Sequence, residues 1–453
     1  MNDGKPIQVV VLGAGFGGLT FCQNFRAPNT RITVVDRTNH HLFQPLLYQV
    51  AACGLSAPEI AQPIRGILSR RPDITVLFNQ AVDFDLSKKR IVLEKGALDY
   101  DYLVLALGGQ TGYFGHPEWE QFAPGLKTLD DALRIRSQIL LAFEKAENEP
   151  DPAERDRLMT IVVVGGGPTG VELAGAFAEL TRTVLNRDFR RIDPTKARII
   201  LIEGSPTVLS HLPSDLSASA QRQLKALGVQ VRNNLQVKEI RACEVALANG
   251  EIIHAGNIIW AAGVSASPLT QKLDAELDKA GRVKVNPDLS LPGHPEVFAI
   301  GDMALVMQEN GKPVPGVSPA AMQMGKHVAK IIESEINAGQ PLTRPSATLS
   351  PSDRERDRVR GKSENGGTIT ASRPAFKYRA KGTMATIGRS AAVAWIGRFK
   401  FSGLFAWLAW LFIHLIFLVG FRNRIAVLFQ WTWSYFSYKR SARIITYPQR
   451  EKE

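Results

Sequence analysis

The stretch Ile7-Gln8-Val9-Val10-Val11-Leu12-Gly13-Ala14-Gly15-Phe16-Gly17-Gly18 decides the fold. An aliphatic run without polar alternation reads as a strand buried on both faces, the habit of a parallel sheet. The glycines end that strand and open a helix. Gly13 permits a tight turn, Gly15 lets a pyrophosphate approach the backbone, and Gly18 lets helix and strand pack closely. The helix N-terminus then offers free N–H groups and a positive dipole end to an anion. Ile32-Thr33-Val34-Val35-Asp36 supplies the next strand, and Asp36 stands 18 residues beyond Gly18. A carboxylate there can hold both hydroxyls of an adenosine ribose. Strand, turn, helix and acid in register predict a dinucleotide-binding unit over residues 7–36.

The pattern returns at 160–203. Ile161-Val162-Val163-Val164 leads into Gly165-Gly166-Gly167-Pro168-Thr169-Gly170, so Gly165, Gly167 and Gly170 take the three glycine roles. The acid is Glu203, closing Ile199-Ile200-Leu201-Ile202-Glu203, 33 residues after Gly170. That gap exceeds the usual ~20 residues, and the excess falls in a polar, basic stretch around 186–196 that reads as a longer helix plus loop. A carboxylate repels a 2′-phosphate, so Glu203 favours NADH over NADPH. Tyr102-Leu103-Val104-Leu105-Ala106-Leu107-Gly108-Gly109 and Ile258-Ile259-Trp260-Ala261-Ala262-Gly263 each read as a buried strand entering a glycine turn, which makes Gly109 and Gly263 candidate cofactor contacts. Val297-Phe298-Ala299-Ile300-Gly301-Asp302 is a further strand, and Asp302 can bind a ribityl chain. Two sites imply two dinucleotides, most economically resident FAD and diffusing NADH. The fold class is α/β with two Rossmann-like dinucleotide-binding domains.

Composition bounds the alternatives. The 453 residues suffice for two or three domains, and 45% hydrophobic with 22% charged residues is globular rather than disordered or many-pass membrane. The net charge of +12 suits an anionic partner: nucleotide, anionic lipid or nucleic acid. No nucleic-acid recognition module accompanies the cations. Cys22, Cys53 and Cys243 lie far apart, with no Cys-x-x-Cys pair, which fits a reducing compartment and removes disulfide-reductase and sulfide:quinone chemistry. No metal-ligand spacing, Walker loop or nucleophile elbow is present. The first apolar run is too short for a signal-peptide core, so no targeting segment is expected.

Two segments stand apart. Residues 345–373 are rich in Ser, Arg, Asp, Gly and Pro and poor in large apolar residues, and read as a flexible, solvated insertion. Residues 404–421 are apolar except for His414 and Gly420, an 18-residue run at the lower limit for spanning a bilayer. Arg422, Arg424, Lys439, Arg440 and Arg443 follow, interleaved with Trp431, Trp433, Tyr435, Phe436 and Tyr438, the composition of an interfacial helix. Peripheral attachment is favoured over spanning, and His414 reads as an interfacial or satisfied histidine rather than a ligand.

Further blocks carry a family resemblance: His41-Leu42-Phe43-Gln44-Pro45-Leu46-Leu47-Tyr48-Gln49-Val50-Ala51, Ala61-Gln62-Pro63-Ile64-Arg65, Gly170-Val171-Glu172-Leu173-Ala174-Gly175, and Tyr378-Arg379-Ala380-Lys381-Gly382-Thr383-Met384-Ala385-Thr386-Ile387-Gly388-Arg389. With both glycine motifs, they make nearly the whole chain resemble type II NADH dehydrogenases, the single-subunit, non-proton-pumping NADH:quinone oxidoreductases. The resemblance implies an FAD domain (1–125 and 281–344) interrupted by an NADH domain (126–280), then the 345–373 insertion and a C-terminal helical, quinone-side and membrane-anchoring region (374–453). It places the family's nicotinamide-side glutamate on Glu172, its quinone-side lysine on Lys381 and its quinone-side glutamine on Gln323. Many members read Ala-Gln-x-Ala-x-Gln where this chain has Ser318-Pro319-Ala320-Ala321-Met322-Gln323, so Pro319 stands at the first Gln. The implied partners are NADH, a membrane quinone and a lipid bilayer surface, with a peripheral location on the cytoplasmic face of a bacterial inner membrane and homodimer formation left open. The rivals are a soluble-acceptor flavin NADH oxidase and a non-catalytic nucleotide-sensing membrane protein.

Overall fold

The computed structural model describes residues 5–338, 373–437 and 442–445. The backbone divides into two compact units: Met1–His41, Pro63–Gly109 and Ser265–Ala380 form one, and Leu42–Gln62, Gln110–Val264 and Lys381–Glu453 the other.

The first unit is built on a six-stranded sheet in the order Ser290–Leu291, His294–Ala299, Tyr102–Leu105, Ile7–Leu12, Thr30–Asp36, Ile74–Phe78. All its neighbours run parallel except the edge pair Ser290–Leu291 with His294–Ala299. The central pairing Val9↔Ile32 and Val11↔Val34 puts aliphatic residues side by side on one face, which fixes the register. Helices Phe16–Asn24 and Ser318–Asn337 pack together closely, because a Cβ on Gly325 would stand 2.4 Å from the Gly17 carbonyl oxygen.

The second unit holds a four-stranded parallel sheet, Val229–Arg232, Arg198–Ile202, Thr160–Val164, Asn257–Trp260. Both the fully buried strand Thr160–Val164 and its successor sit as the sequence predicts. The long gap before Glu203 is filled by a π turn over Leu180–Val184 and short 3-10 turns at Leu185–Arg187 and Pro194–Lys196.

Three sequence expectations change. The units divide at Gly109/Gln110 and Val264/Ser265, not at 125/126 and 280/281. Tyr113, Trp119 and Ala123 are buried in one cluster with Val162 and Trp260 of the second unit. Ala266 and Leu273 are buried with Val9 and Val104 of the first. The C-terminal region is not wholly helical. It opens with a three-stranded antiparallel sheet, Thr383–Gly388, Ala391–Ile396 and Phe399–Ser402. The apolar run beyond it is broken into helices Leu404–Phe417 and Phe421–Ser437, with Gly420 at φ +88° in the break. At 1.5 Å per residue the first helix covers about 21 Å of a core near 30 Å. Among the described residues no helix is long and apolar enough to cross a membrane. Finally, the 345–373 insertion lies outside the described residues except for its last member, Arg373. That residue is buried, contrary to a solvated reading, and pairs with Asp288 and Glu335.

Candidate active site residues

In the first unit Gly13 adopts φ +97°, and a Cβ there would meet the Ala106 carbonyl oxygen at 2.4 Å. A Cβ on Gly18 would meet the Gly13 oxygen at 1.9 Å. Gly15 faces open space, with nothing among the described residues within 4 Å of where its Cβ would lie, and it caps helix Phe16–Asn24 without a side-chain capping hydrogen bond. Two glycines are therefore required by packing and the middle one leaves room for a ligand, as the pyrophosphate role demands. Asp36 Oδ2 accepts from the Ala14 N–H at 2.7 Å, and Oδ1 accepts from the Thr38 N–H and hydroxyl at 2.7 and 2.8 Å. The acid is thus held at the turn. Asp302 is half-buried in the turn Gly301–Met303 after strand His294–Ala299. In the turn after Tyr102–Leu105 the left-handed residue is Gly108, at φ +69°, one position before the predicted Gly109.

Gln323 lies on helix Ser318–Asn337 in this unit. Its amide donates to the Arg379 carbonyl and accepts from the Arg379 N–H, both at 3.0 Å. It thereby holds the extended segment before Lys381, and one amide proton remains for another partner. Pro319 falls in the first turn of the same helix, where a missing N–H breaks no intrahelical bond.

The second unit repeats the construction. Gly165 has φ +111° and packs on the Ala261 and Ala262 backbone, a Cβ on Gly170 would meet the Gly165 oxygen at 1.8 Å, and Gly167 faces open space among the described residues. Glu203 Oε2 accepts from the Gly166 N–H at 2.5 Å and Oε1 from the Ser205 N–H at 2.6 Å. Gly263 has φ +79°, and a Cβ there would meet the Gly112 oxygen at 2.6 Å. Both cradles thus fit a dinucleotide by the same three-glycine logic and the same acid-to-turn hydrogen bond.

Glu172 lies early in helix Pro168–Glu179. That helix docks on strand Thr383–Gly388 so tightly that a Cβ on Gly175 would stand 1.6 Å from the Ile387 carbonyl oxygen. Nothing local in the sequence announces this contact beyond a glycine in mid-helix. Glu172 keeps some solvent access as a residue, but its carboxyl lies deep. Burial pushes its pKa from the ordinary 4.5 up to about 8, against the pull of the Thr386 backbone N–H. The folded chain therefore holds a proton that an unfolded one releases above pH 4.5. Stability should fall by up to about 1.4 kcal/mol per pH unit across that window. In Glu172→Gln this cost vanishes: its melting temperature should match wild type near pH 4.5 and exceed it increasingly towards pH 8.5. A difference that stays flat with pH contradicts the assignment.

Lys381 is exposed, precedes Gly382 at φ +113°, and places its Nζ 5.3 Å from the Phe417 ring centroid. His414 stacks on Trp410 at 4.2 Å, its Nδ1 contacts the Trp410 carbonyl at 2.8 Å, and burial pushes its pKa down to about 4. It is the satisfied histidine expected. Of the tail, Lys439, Arg440 and Tyr438 lie outside the described residues. Trp431 donates to Gln49 Oε1 at 2.9 Å, so the second C-terminal helix is tied to the 42–62 segment. The helices present Phe405, Phe412 and Phe429 outward, 74%, 66% and 67% exposed, while Ala406 and Trp410 are buried. Among the described residues no cluster of side chains could hold a metal.

Comparison with known proteins agrees with this construction. Residues 7–325 match the pyridine nucleotide-disulphide oxidoreductase family, and 380–438 match the NDH2 C-terminal domain. The chain is 41% identical to the type II NADH:quinone oxidoreductase Ndh of Mycobacterium tuberculosis, over 97% of this chain and 90% of that one. It is 29% identical to the external NADH-ubiquinone oxidoreductase 2 of Saccharomyces cerevisiae mitochondria, over 96% of this chain and 82% of that one. The structure of NDH2 from Plasmodium falciparum in complex with NADH shares the fold, with a TM-score of 0.84 at 20% identity, covering 98% of this chain and 100% of that one. Two glycine cradles, a fitting C-terminal domain and these relatives lead to one conclusion: the chain belongs to the type II NADH:quinone oxidoreductase family.

Proposed function

We propose that this chain oxidises NADH through bound FAD and reduces a membrane quinone to quinol without pumping protons. The observation that carries the reading is the doubled cradle, in which open Gly15 and Gly167 each lie beside an acid hydrogen-bonded to its own turn. In the first unit Gly13, Gly15, Gly18 and Asp36 would hold the FAD pyrophosphate and ribose, with Asp302 towards the ribityl chain and Gly109 nearby. In the second, Gly165, Gly167, Gly170, Glu203 and Gly263 would hold NADH. The chemistry that bound FAD supplies is two-electron, hydride acceptance from NADH and delivery of the pair to a quinone. Glu172 stands protonated at neutral pH and serves as a proton or hydrogen-bond donor. Lys381 supplies a cation on the quinone side, and Gln323 fixes the segment leading to it. The test is turnover: NADH consumption by purified protein with FAD bound should depend on added water-soluble quinone, and quinone-independent turnover would exclude this acceptor.

The C-terminal helices support attachment to a bilayer surface. Phe405, Leu408, Phe412 and Ile416 recur at helical spacing and all are exposed, a contiguous apolar stripe of the kind that marks a lipid or protein contact. The region anchors peripherally, on the cytoplasmic face of the membrane, where a lipid-dissolved quinone becomes accessible. Replacing Phe405 and Phe412 together by Glu should abolish co-flotation with anionic vesicles, while turnover with a water-soluble quinone stays within about twofold. Unchanged flotation would sink the anchor.

A further inference from the structure

Ala14, the second residue of the first glycine turn, has both halves of its backbone held by side chains from outside the turn. Its N–H donates to Asp36 Oδ2 at 2.7 Å. Its carbonyl lies 2.9 Å from His41 Nδ1. A carbonyl only accepts, so Nδ1 carries the ring proton and Nε2 is a bare acceptor. His41 is 3% exposed, the Phe16 ring meets it edge-on at 5.1 Å, and its Nε2 is buried without a partner among the described residues. The second cradle performs the same task differently. There the matching carbonyl, of Gly166, accepts from the Leu209 backbone N–H at 2.8 Å, a group that does not titrate.

We propose that His41 is a positioning residue for FAD: its neutral Nδ1–H form clamps the Ala14 carbonyl and fixes the turn against the pyrophosphate, and protonation of the ring opens the clamp and releases flavin. The inference rests on the flavoprotein reading of the first unit. A second ring proton would fall on buried Nε2, where no acceptor among the described residues meets it, so the cation is tolerated only if the ring leaves its site. Burial accordingly holds the His41 pKa below its ordinary value. The Ala14 carbonyl and Asp36, at the end of the neighbouring strand, favour the cation, and His40 beside it opposes it. Flavin affinity should therefore be constant above the ordinary histidine range and fall as acid protonates the released ring.

The experiment measures FAD dissociation constants by flavin fluorescence from pH 8 to pH 5, above the range in which ordinary carboxyls take up protons. His41→Asn keeps a donor near the Nδ1 position but cannot titrate, whereas His41→Leu keeps bulk without a donor. Wild type should lose about tenfold or more in affinity between pH 7 and pH 5. His41→Asn should stay within about threefold of wild type at pH 8 and show no such slope. His41→Leu should bind about tenfold more weakly at pH 8, with a flat profile. Glu172 titrates alike in all three proteins and cancels from the comparison. Equal slopes in wild type and His41→Asn overturn the clamp, as does wild-type affinity in His41→Leu. If His41→Leu fails to fold, the Asn comparison decides alone. Wild-type protein that takes up no FAD at any pH overturns the flavoprotein reading itself, and the clamp falls with it.

Discussion

Gly170→Ala should purify yellow and no longer be bleached by NADH. The added Cβ would lie 1.8 Å from the Gly165 carbonyl oxygen and 3.4 Å from Ala261 Cβ. The first of these is backbone in a turn already pinned at φ +111° by the Ala261–Ala262 peptide, so no side chain can swing away to relieve it. The turn must open, and with it goes the line of N–H groups that would face the NADH pyrophosphate. The first cradle shares none of these atoms, and the contacts of its own Gly13 and Gly18 lie within residues 13–18 and 106–107. Flavin should therefore remain bound while the NADH dissociation constant rises at least about a hundredfold, roughly 3 kcal/mol. Stopped-flow bleaching at increasing NADH, with a thermal melt to confirm folding, checks this. Half-saturation within threefold of wild type would show that the second glycine motif does not hold the nucleotide.

Arg373→Ala should cost about 3–5 kcal/mol of stability, as breaking a buried ion pair does. The Arg373 guanidinium is 2% exposed, with Asp288 at 1% and Glu335 at 0%. It donates to Asp288 Oδ2 at 3.1 Å and to the Pro295 carbonyl at 2.7 Å, reaches Glu335, and lies 5.1 Å from the Phe298 ring centroid. Tyr102 donates to the other Glu335 oxygen at 2.8 Å. Without Arg373 two carboxyls remain buried with no ion-pair partner among the described residues. Burial already raises the Glu335 pKa, so part of the loss should be recovered by lowering the pH, which lets that carboxyl take up a proton. Chemical denaturation at pH 7.5 and pH 5.5 gives both quantities. A loss under 1 kcal/mol at pH 7.5 would mean the ion cluster is not closed in solution.

The sequence made the parts built from neighbouring residues legible. A buried strand, a glycine turn, a helix and an acid fall within thirty residues, so Gly13–Gly18 with Asp36 announces its own geometry, and the pairing of Ile7–Leu12 with Thr30–Asp36 follows. The second copy was readable for the same reason, even with its long gap. What escaped depends on residues far apart in the chain. Arg373 ends a stretch of polar composition, and nothing local says that Asp288 and Glu335 wait for it in the core. The antiparallel sheet over Thr383–Ser402 has too little alternation to separate it from the loop before it. The apolar run from Leu404 looks continuous to a hydropathy count, yet Gly420 at φ +88° turns it where its Cβ would strike Gln62. Gln323 was legible as a polar residue on a helix, but its commitment to the Arg379 backbone required the fold.

The most direct measurement is an anaerobic absorbance titration of the purified protein, first with NADH and then with a quinone. A visible flavin band that NADH bleaches with one equivalent per FAD, and that quinone restores with one further equivalent, is the predicted result. A colourless protein that binds no added FAD, or a flavin that NADH reduces but quinone leaves bleached, would contradict the proposed transfer of electrons from NADH through FAD to a lipid-borne acceptor.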